Sequence, residues 1–381
     1  MSRRQVLGCA AGLVAVLAGC SSGTERPSAT TSSAPTTSHA ASSPAPSDST
    51  ASPTANTRVL TARVSGVVAR GLAVPWGMAF LPDGTAVVSE RDSGRIKRVT
   101  PSGRVTTLGT VRGIHHGGEG GLLGLAVSPS YTTDHLLFAY FTAGDDNRIA
   151  RITYDGSGLS GQVTIFRGIP AAGIHDGGRI AFGPDRFLYV GTGEAGRREP
   201  AQDRRDLGGK ILRITMAGRP APGNPVPGSP LYSLGHRNVQ GLAWDTRGQL
   251  WASEFGQDEW DELNRIRPGG NYGWPVVEGK AGRAPYIDPV RQWRTDEASP
   301  SGIAVAGNAV YMAGLHGARL WQIPIPGGKA GTPKALLSGK YGRLRTVTLA
   351  PDGSLWVTTS NRDGRGDPRS GDDKILRLTL S

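Results

Sequence analysis

The chain has 381 residues, of which 43 are Lys or Arg and 31 are Asp or Glu, giving a formal net charge of +12. Its only cysteines are Cys9 and Cys20, so the rest of the chain has no disulfide, thiol nucleophile or cysteine-based metal site. Because the basic residues are scattered rather than clustered, we expect an anionic cell surface or an anionic cofactor as a partner, and no nucleic acid.

Residues 1–19 are predicted to be a lipoprotein signal peptide. Arg3 and Arg4 precede a short apolar stretch that ends in Leu-Ala-Gly-Cys at Cys20, the pattern of a bacterial lipoprotein box. This stretch is too short to span a bilayer. We therefore expect export, by the general or the twin-arginine route, and a lipid on Cys20 that anchors the protein to the outer face of the bacterial cell membrane.

Residues 20–57 are predicted to form a flexible tether. After the cysteine this segment is almost entirely Ser, Thr, Ala and Pro. Such a composition cannot bury enough apolar surface to offset the conformational entropy lost on ordering. The tether would hold the globular part, residues 58–381, away from the membrane.

One sequence pattern recurs six times in the globular part. An apolar run, a turn, a second β-branched or aromatic run and a basic segment follow one another, starting at Trp76, Gly121, Gly178, Gln240, Ser301 and Leu344. Asp-Gly, Asn or Arg-Gly between period-2 apolar runs are hairpin signals, and each run has the length of a strand. Repeats of roughly 40–60 residues built from several strands are typical of propellers. The sequence therefore predicts an all-β fold, a six-bladed β-propeller.

The sixth repeat ends at Ser381 after three strands, whereas Val59–Arg70 precedes the first repeat and belongs to none. A ring must close, and an N-terminal strand that completes the last blade would remove an exposed edge. We therefore expect Val59–Arg70 to supply the outer strand of the sixth blade. The alternative is an ordered tail that lies along the surface.

The segment Gly191–Gly196 matches the G-x-G-x-x-G pattern of dinucleotide sites. Such a site needs a helix that begins at the pattern. Here the chain continues through Pro200 into another strand. We therefore interpret the match as coincidental and expect no nicotinamide cofactor.

Polar loops enter the blades at equivalent places. The sequence reads HHGGEGG before Leu122, IHDGG before Arg179, GHRNVQG before Leu242 and GRLR before Thr346, with FGQDEWDE after Glu254. Because the repeat places these loops equivalently, we expect them to converge on one mouth of the central channel. Their glycines allow the backbone to approach a bulky ligand closely.

Seven motifs carry a resemblance to a known family. In chain order they are PWGMAFLPDG, GGEGGLLGLAVSP, HDGGRIAFGPD, LGGKILRI, GHRNVQGLAWD, SEFGQDEWDELNRI followed by GGNYGWP, and GRLRTV. From Leu72 to Leu380 the chain resembles the soluble aldose sugar dehydrogenases (glucose/sorbosone type) that depend on pyrroloquinoline quinone (PQQ). The resemblance implies a six-bladed propeller that binds PQQ and calcium. It also implies oxidation of aldose sugars at C1 to lactones, with the electrons passed to an external acceptor.

The resemblance implies three catalytic residues. His175 stands where the family places its general base, and imidazole suits this role because it exchanges a proton near neutral pH. Glu194 matches the acid that orients this base. Arg237 matches a cation that stabilises negative charge developing on the quinone oxygen. The alternative for His175 is a histidine that merely satisfies a turn.

Five further residues match cofactor-binding positions, namely Glu119, Asn238, His316, Arg343 and Arg345. Arg343 and Arg345 alternate along a strand, so both face the same way and could hold the carboxylates of PQQ. Their alternative is a solvated surface. His316 replaces a Lys of the best-known members, and the aromatic residue expected over the cofactor is out of register, with Trp293 nearby.

Calcium is implied by the resemblance at two places. The backbone carbonyls of Gly256 and Gln257 match ligands of the cofactor's metal, and Glu262 with the Tyr272 carbonyl matches a second, structural site. An alternative interpretation is that the acidic residues of this segment merely form a solvated loop. These residues are Asp258, Glu259, Asp261 and Glu262. Two other functions stay open on this fold: a calcium-dependent lactonase-like hydrolase and a non-catalytic binding propeller.

Overall fold

Six four-stranded antiparallel sheets make up residues 59–381, the part of the chain that the computed structural model describes. The predicted six-bladed β-propeller is thereby confirmed. The predicted signal peptide, Cys20 and the predicted tether lie outside the described residues, so these remain predictions.

The strands of blade 1 and the N-terminal strand are β1 (Ala62–Ala69), β2 (Pro75–Phe80), β3 (Ala86–Glu90), β4 (Arg95–Val99) and β5 (Val105–Thr110). Blades 2 and 3 consist of β6 (Leu122–Val127), β7 (Leu136–Thr142), β8 (Asp146–Tyr154), β9 (Leu159–Pro170), β10 (Ile180–Phe182), β11 (Leu188–Gly191), β12 (Lys210–Ile214) and β13 (Leu231–Leu234). Blades 4 and 5 consist of β14 (Val239–Trp244), β15 (Leu250–Glu254), β16 (Trp260–Arg265), β17 (Arg291–Arg294), β18 (Pro300–Ala306), β19 (Ala309–Gly314), β20 (Arg319–Pro324) and β21 (Lys334–Leu336). Blade 6 contains β22 (Leu344–Leu349), β23 (Leu355–Thr359), β24 (Ile375–Leu380) and β1.

Helical structure is sparse in this described part. It comprises α1 (Tyr131–Asp134) and two short 3₁₀ turns, Glu199–Ala201 and Pro326–Gly328. None of these helices is long and apolar enough to cross a membrane.

The first strand of each blade lies against the channel axis, and the inner strands of adjacent blades contact one another. The next strand out is buried on both faces, as in LWASE of β15, whereas the outermost strands alternate in exposure, as in β5. Strands covered on both faces need near-continuous apolar sequence. The first two runs of the repeated sequence pattern form these two strands of each blade, which explains why they are the most apolar parts of the pattern.

Aromatic side chains at equivalent positions pack one blade against the next. The rings of Phe138 in blade 2 and Phe182 in blade 3 meet edge to face at 5.1 Å between centroids. Tyr189 and Trp244 repeat this contact at 5.0 Å between blades 3 and 4. Edge-to-face pairs add stability beyond the area they bury. The repeated aromatic position therefore supplies the contacts that build the ring.

The ring closes through the N-terminal strand, as predicted. β1 pairs antiparallel with β24, with Ala62 opposite Leu380, and becomes the outer strand of blade 6. Trp356 of blade 6 also packs on Phe80 of blade 1 with 5.0 Å between ring centroids. The sheet edge that the short last repeat would expose is thereby covered.

The two mouths of the channel differ. Inner strands begin at one mouth, and because neighbouring strands are antiparallel, the loop between the second and third strand of each blade lies at the same mouth. This mouth, called here the polar mouth, holds a cavity of about 280 Å³ rich in arginine. The opposite mouth holds a cavity of about 480 Å³ lined by apolar residues of all six inner strands. The predicted polar loops therefore do converge on one end.

Candidate active site

A buried His–Glu pair lies at the polar mouth. Nδ1 of His175 makes a short hydrogen bond with Oε1 of Glu194, and the two side chains are 12% and 2% exposed. Oε2 of Glu194 is buried and has no hydrogen-bond partner among residues 59–381. Because Nδ1 is engaged, Nε2 is the nitrogen of His175 that can exchange a proton with a ligand. The structure thus places these two predicted residues in contact.

The pattern Gly191–Gly196 has a structural purpose at this pair. β11 ends at Gly191, and the next helical element is the single turn Glu199–Ala201, so no dinucleotide site forms. A side chain on Gly193 would place its Cβ 1.8 Å from the His175 carbonyl oxygen. The glycines let the Glu194 loop approach the His175 loop closely enough for the two side chains to meet.

His175 has an unusual backbone, with φ of +59°. This left-handed region is uncommon for residues other than glycine. Two contacts hold the residue there: its N–H donates to Oε2 of Glu119 at 3.0 Å, and its carbonyl accepts from the N–H of Ala195 at 3.2 Å. The imidazole is thus positioned from both sides along the backbone.

Asn238 and Arg237 lie next to this pair. Oδ1 of Asn238 accepts a hydrogen bond from the N–H of Gly177 at 3.0 Å, and the carbonyl of Arg237 accepts from the N–H of Glu194 at 2.9 Å. The Arg237 guanidinium donates to Oε1 of Gln257 at 3.0 and 2.8 Å. Burial lowers the pKa of Arg237 below its usual value, although neighbouring carboxylates, Glu194 first, oppose this. Arg237 therefore presents a buried cation beside the His–Glu pair.

Two arginines share one carboxylate at the cavity wall. Nε of Arg343 lies 3.0 Å from Oδ2 of Asp363, and Nη2 of Arg345 lies 3.5 Å from the same oxygen. Nη1 of Arg345 also donates to Oε1 of Gln240 at 3.0 Å. Burial, with the charge of Arg343, lowers the pKa of Arg345 to about 10 despite Asp363. Since both arginines and His316 line the cavity, these predicted residues are brought together.

A further buried guanidinium, that of Arg179, lies near Arg345 and lines the cavity at the opposite mouth. Arg179 lies over the Trp76 ring at 4.4 Å, and Arg345 lies over the same ring at 5.7 Å. Nε of Arg179 donates to the carbonyl of Gln240 at 2.7 Å. Burial and the nearby Arg345 lower the pKa of Arg179 to about 9. Two like charges, on Arg179 and Arg345, therefore lie close together over the Trp76 ring.

Glu119 joins the cavity to the His–Glu pair. Glu119 lines the cavity. Its Oε2 accepts from the N–H of His175, and its Oε1 accepts a hydrogen bond from Nη1 of Arg365 at 2.9 Å. Burial favours the neutral acid, but the His175 N–H and the Arg365 charge hold the pKa of Glu119 below its usual value. His175 itself does not line this cavity and is linked to it through Glu119.

The implied ligands of the cofactor's metal are two backbone carbonyl oxygens of the loop after β15. Among the described residues, no backbone N–H donates to the carbonyl of Gly256 or Gln257. The loop is held instead by Oε1 of Glu278, which accepts the N–H groups of residues 257–260. Free carbonyls beside a carboxylate suit a hard cation such as Ca²⁺. These residues fit the implied calcium.

The second implied metal position lies in a buried polar cluster. Oε2 of Glu262 accepts from Nδ2 of Asn264 at 2.9 Å, and this amide also reaches Oε2 of Glu254 at 3.3 Å. Glu254 pairs with His236, whose ring stacks on Tyr272 at 4.8 Å. Burial, reinforced by the charge of Glu254, raises the pKa of Glu262 to about 8. Residues 59–381 contain no group of three His, Cys, Asp or Glu side chains arranged for a metal.

Trp293, which lies near the position of the out-of-register aromatic residue, does not supply an aromatic ring to the cavity. Trp293 is buried in the core of blades 4 and 5, with its ring 5.6 Å from that of Trp321, and does not line the cavity. It cannot stack on a ligand there without leaving the core.

The sequence reading missed several residues of the site, namely Arg91, Arg179, Gln240, Glu278, Asp363 and Arg365. Asp363 and Arg365 lie in NRDGRG, between β23 and β24. The alternation of strand direction sends such loops to the polar mouth, and this signal could have found them. Gln240 lies two residues after Asn238 on β14, so period-2 alternation could have found it.

Comparison with known proteins gives consistent matches. The family described as Glucose / Sorbosone dehydrogenase matches residues 72–377. The chain is 28% identical over 327 residues to the aldose sugar dehydrogenase YliI of Escherichia coli K12, covering 76% of this chain and 88% of that protein. It is 33% identical over 250 residues to quinoprotein glucose dehydrogenase B of Acinetobacter calcoaceticus, covering 56% and 52%. The PQQ-bound aldose sugar dehydrogenase of Streptomyces coelicolor is 59% identical with a TM-score of 0.82, covering 85% of this chain and 99% of that structure.

Proposed function

The chain belongs to the glucose/sorbosone dehydrogenase family, and from this premise we propose that it oxidises aldose sugars at C1 to lactones with PQQ and calcium. The observation that carries the proposal is the buried His175–Glu194 pair beside an arginine-rich cavity. A base and an anion-binding cavity are the two parts that this reaction needs from the protein. The electrons would pass to an external acceptor.

His175 would act as the general base. When bound, PQQ would supply the two-electron acceptor for the C1 hydrogen and its electron pair. Nε2 of His175 accepts the proton of the C1 hydroxyl as the C1–O double bond forms. The imidazolium then faces the Glu194 carboxylate, which is 2% exposed, so the new charge is stabilised where water is scarce.

The cations would bind the cofactor and stabilise charge. Arg343 and Arg345 share a single carboxylate, Asp363, so the cavity keeps an excess of positive charge for the carboxylates of PQQ. His316 lies in the same wall and would add a hydrogen bond. Arg237, held by Gln257, would stabilise negative charge on the quinone oxygen.

Calcium would bind at the free carbonyls of Gly256 and Gln257, next to Glu278. The cluster of Glu262 and the Tyr272 carbonyl would hold a second calcium, because a cation compensates a buried carboxylate pair. In both places the protein would supply hard oxygen ligands, which Ca²⁺ prefers.

Reconstitution tests the proposal against its two rivals. Purified protein is incubated with neither addition, with PQQ, with calcium, and with both, and glucose oxidation is followed with an artificial electron-accepting dye. We expect oxidation only with both additions, and gluconolactone as the product. Hydrolysis of gluconolactone with calcium alone would favour a lactonase, and neither activity in any arm would favour a binding propeller.

We also propose that the protein is exported and anchored by a lipid on Cys20 to the outer face of the bacterial cell membrane. The Leu-Ala-Gly-Cys sequence supports this proposal, and the Ser, Thr, Ala and Pro segment after it would act as the tether. Fractionation of cells that express Cys20→Ser tests it. Release from the membrane fraction is expected, and continued membrane association would refute the anchor.

A further inference from the structure

An ion pair spans the polar mouth from one loop to another that is distant in sequence. Arg365 lies between β23 and β24 in blade 6, and Glu119 lies between β5 and β6, where the chain passes from blade 1 to blade 2. Nη1 of Arg365 and Oε1 of Glu119 are 2.9 Å apart, and both residues line the cavity. The pair therefore joins the closing blade to the far side of blade 1.

Glu119 serves two donors at once. Its Oε1 accepts from Arg365, and its Oε2 accepts from the N–H of His175 at 3.0 Å. The Glu119 N–H also donates to the carbonyl of Gly173 at 3.1 Å. A carboxylate has one acceptor oxygen for each of the donors from Arg365 and His175. An amide has a single oxygen and would lose one of these two contacts. A negatively charged Glu119 thus fixes the loop that carries His175.

The His175 loop needs such support. The left-handed backbone is unfavourable for a residue with a Cβ, and it persists only where the surroundings hold it. Glu119 supplies the contact to the N–H, and Arg365 holds Glu119 from the other side. The Arg365 side chain is 57% exposed, compared with 21% for Glu119, so the arginine is the adjustable member.

We propose that Arg365 is a positioning residue, which orients the Glu119 carboxylate and through it the backbone and imidazole of His175. This inference rests on the proposed function only in taking His175 as the base. Arg365 itself need not touch the substrate or the cofactor.

The first test uses the protein without added cofactor, so that it does not depend on activity. Hydrogen–deuterium exchange is compared for wild type, Arg365→Ala, Arg365→Lys and a control, Arg377→Ala. Arg377 forms an exposed ion pair with Asp352 in the same blade, away from the cavity. We expect faster exchange of residues 171–178 in Arg365→Ala, partial rescue by Arg365→Lys and no change in the control.

The second test uses the protein loaded with PQQ and calcium. An exposed ion pair contributes modestly, so kcat of Arg365→Ala should fall by about two- to fivefold, with the Kd for PQQ unchanged. In the background of Glu119→Gln, Arg365→Ala should have little further effect, because the arginine acts through that carboxylate. If Arg365→Ala lowers global stability, Arg365→Gln replaces it in both tests.

Unchanged exchange of residues 171–178 in Arg365→Ala would overturn the inference. So would an equal loss of kcat in the wild-type and Glu119→Gln backgrounds, or a weaker Kd for PQQ, since either would mean that Arg365 acts directly. A wild-type protein without PQQ-dependent oxidation would refute the proposed function instead, while the exchange experiment would still decide the positioning role.

Discussion

The His175–Glu194 pair gives the sharpest prediction, and the backbone dictates which substitution tests it. His175 has φ of +59°, so His175→Asn is preferable to His175→Ala, because Asn tolerates this region and cannot act as a base. The expected loss in turnover is at least about 10²-fold, the usual contribution of general-base catalysis. The fold and the Kd for PQQ should stay nearly unchanged, because His175 does not line the arginine-rich cavity.

Glu194→Gln should have a smaller effect that can be worked out from the geometry. The carboxylate is buried and bonded to Nδ1, so the imidazolium formed in the reaction has a charge-assisted hydrogen bond. Such bonds contribute about 1.5–3 kcal/mol, against about 0.5–1.5 kcal/mol for neutral ones. The difference of about 1–1.5 kcal/mol corresponds to a loss of about 5- to 13-fold in turnover.

The assay is dye-linked glucose oxidation by protein loaded with PQQ and calcium, for both single variants and the double variant. Because Glu194 acts through the imidazole, the double variant should be no slower than His175→Asn. His135→Asn is the matched control, since His135 also has positive φ, of 52°, and does not line the arginine-rich cavity. If His175→Asn binds PQQ normally and oxidises glucose at near the wild-type rate, the assignment of the base is wrong.

Three further predictions address binding and stability. Arg343→Ala or Arg345→Ala should raise the Kd for PQQ, measured by fluorescence titration, by about tenfold or more. An unchanged Kd would mean that these arginines do not bind the cofactor and have only a structural role. Chelation of divalent ions should remove PQQ and activity together, with calcium restoring both, and activity that survives chelation would refute the calcium proposal. Burial raises the pKa of Asp176 to about 6, so its proton is held more tightly in the folded state and stability falls as the pH rises through about 6. Between pH 4 and pH 8, Asp176→Asn should therefore gain about 2.5 kcal/mol in free energy of unfolding over wild type, measured by chemical denaturation, and a constant difference would contradict the assigned shift.

The fold could be predicted from sequence because its determinants are local and repeated. Period-2 apolar runs with turn residues recur six times, and each becomes a blade. Closure was also predictable, since Val59–Arg70 had no repeat of its own and the last repeat lacked a strand. Both inferences depend on counting elements, for which the sequence is sufficient.

The site was predictable where a motif carried its chemistry and less so where contacts join distant loops. His175, Glu194 and Arg345 lie in short patterns, and the structure places them at one mouth. Arg365 is one of 43 basic residues, and its contact with Glu119 spans 246 positions. The alternation of strand direction could place the Arg365 loop at the polar mouth, but the contact with Glu119 follows only from the three-dimensional arrangement.

The positive charges of Arg179, Arg343 and Arg345 are only partly compensated by neighbouring carboxylates. Arg343 and Arg345 share one carboxylate, and Arg179 has hydrogen bonds to Gln240 and Thr346 but no ion pair within residues 59–381. Burying like charges without equal compensation is unfavourable, and the lowered pKa values of Arg179 and Arg345 reflect this. A bound polycarboxylate would compensate these charges and so remove that unfavourable free energy. Part of the free energy of binding would therefore come from relieving a repulsion that is present in the ligand-free protein. The same arrangement would discriminate against neutral ligands of similar shape, which gain the contacts but leave the charges uncompensated.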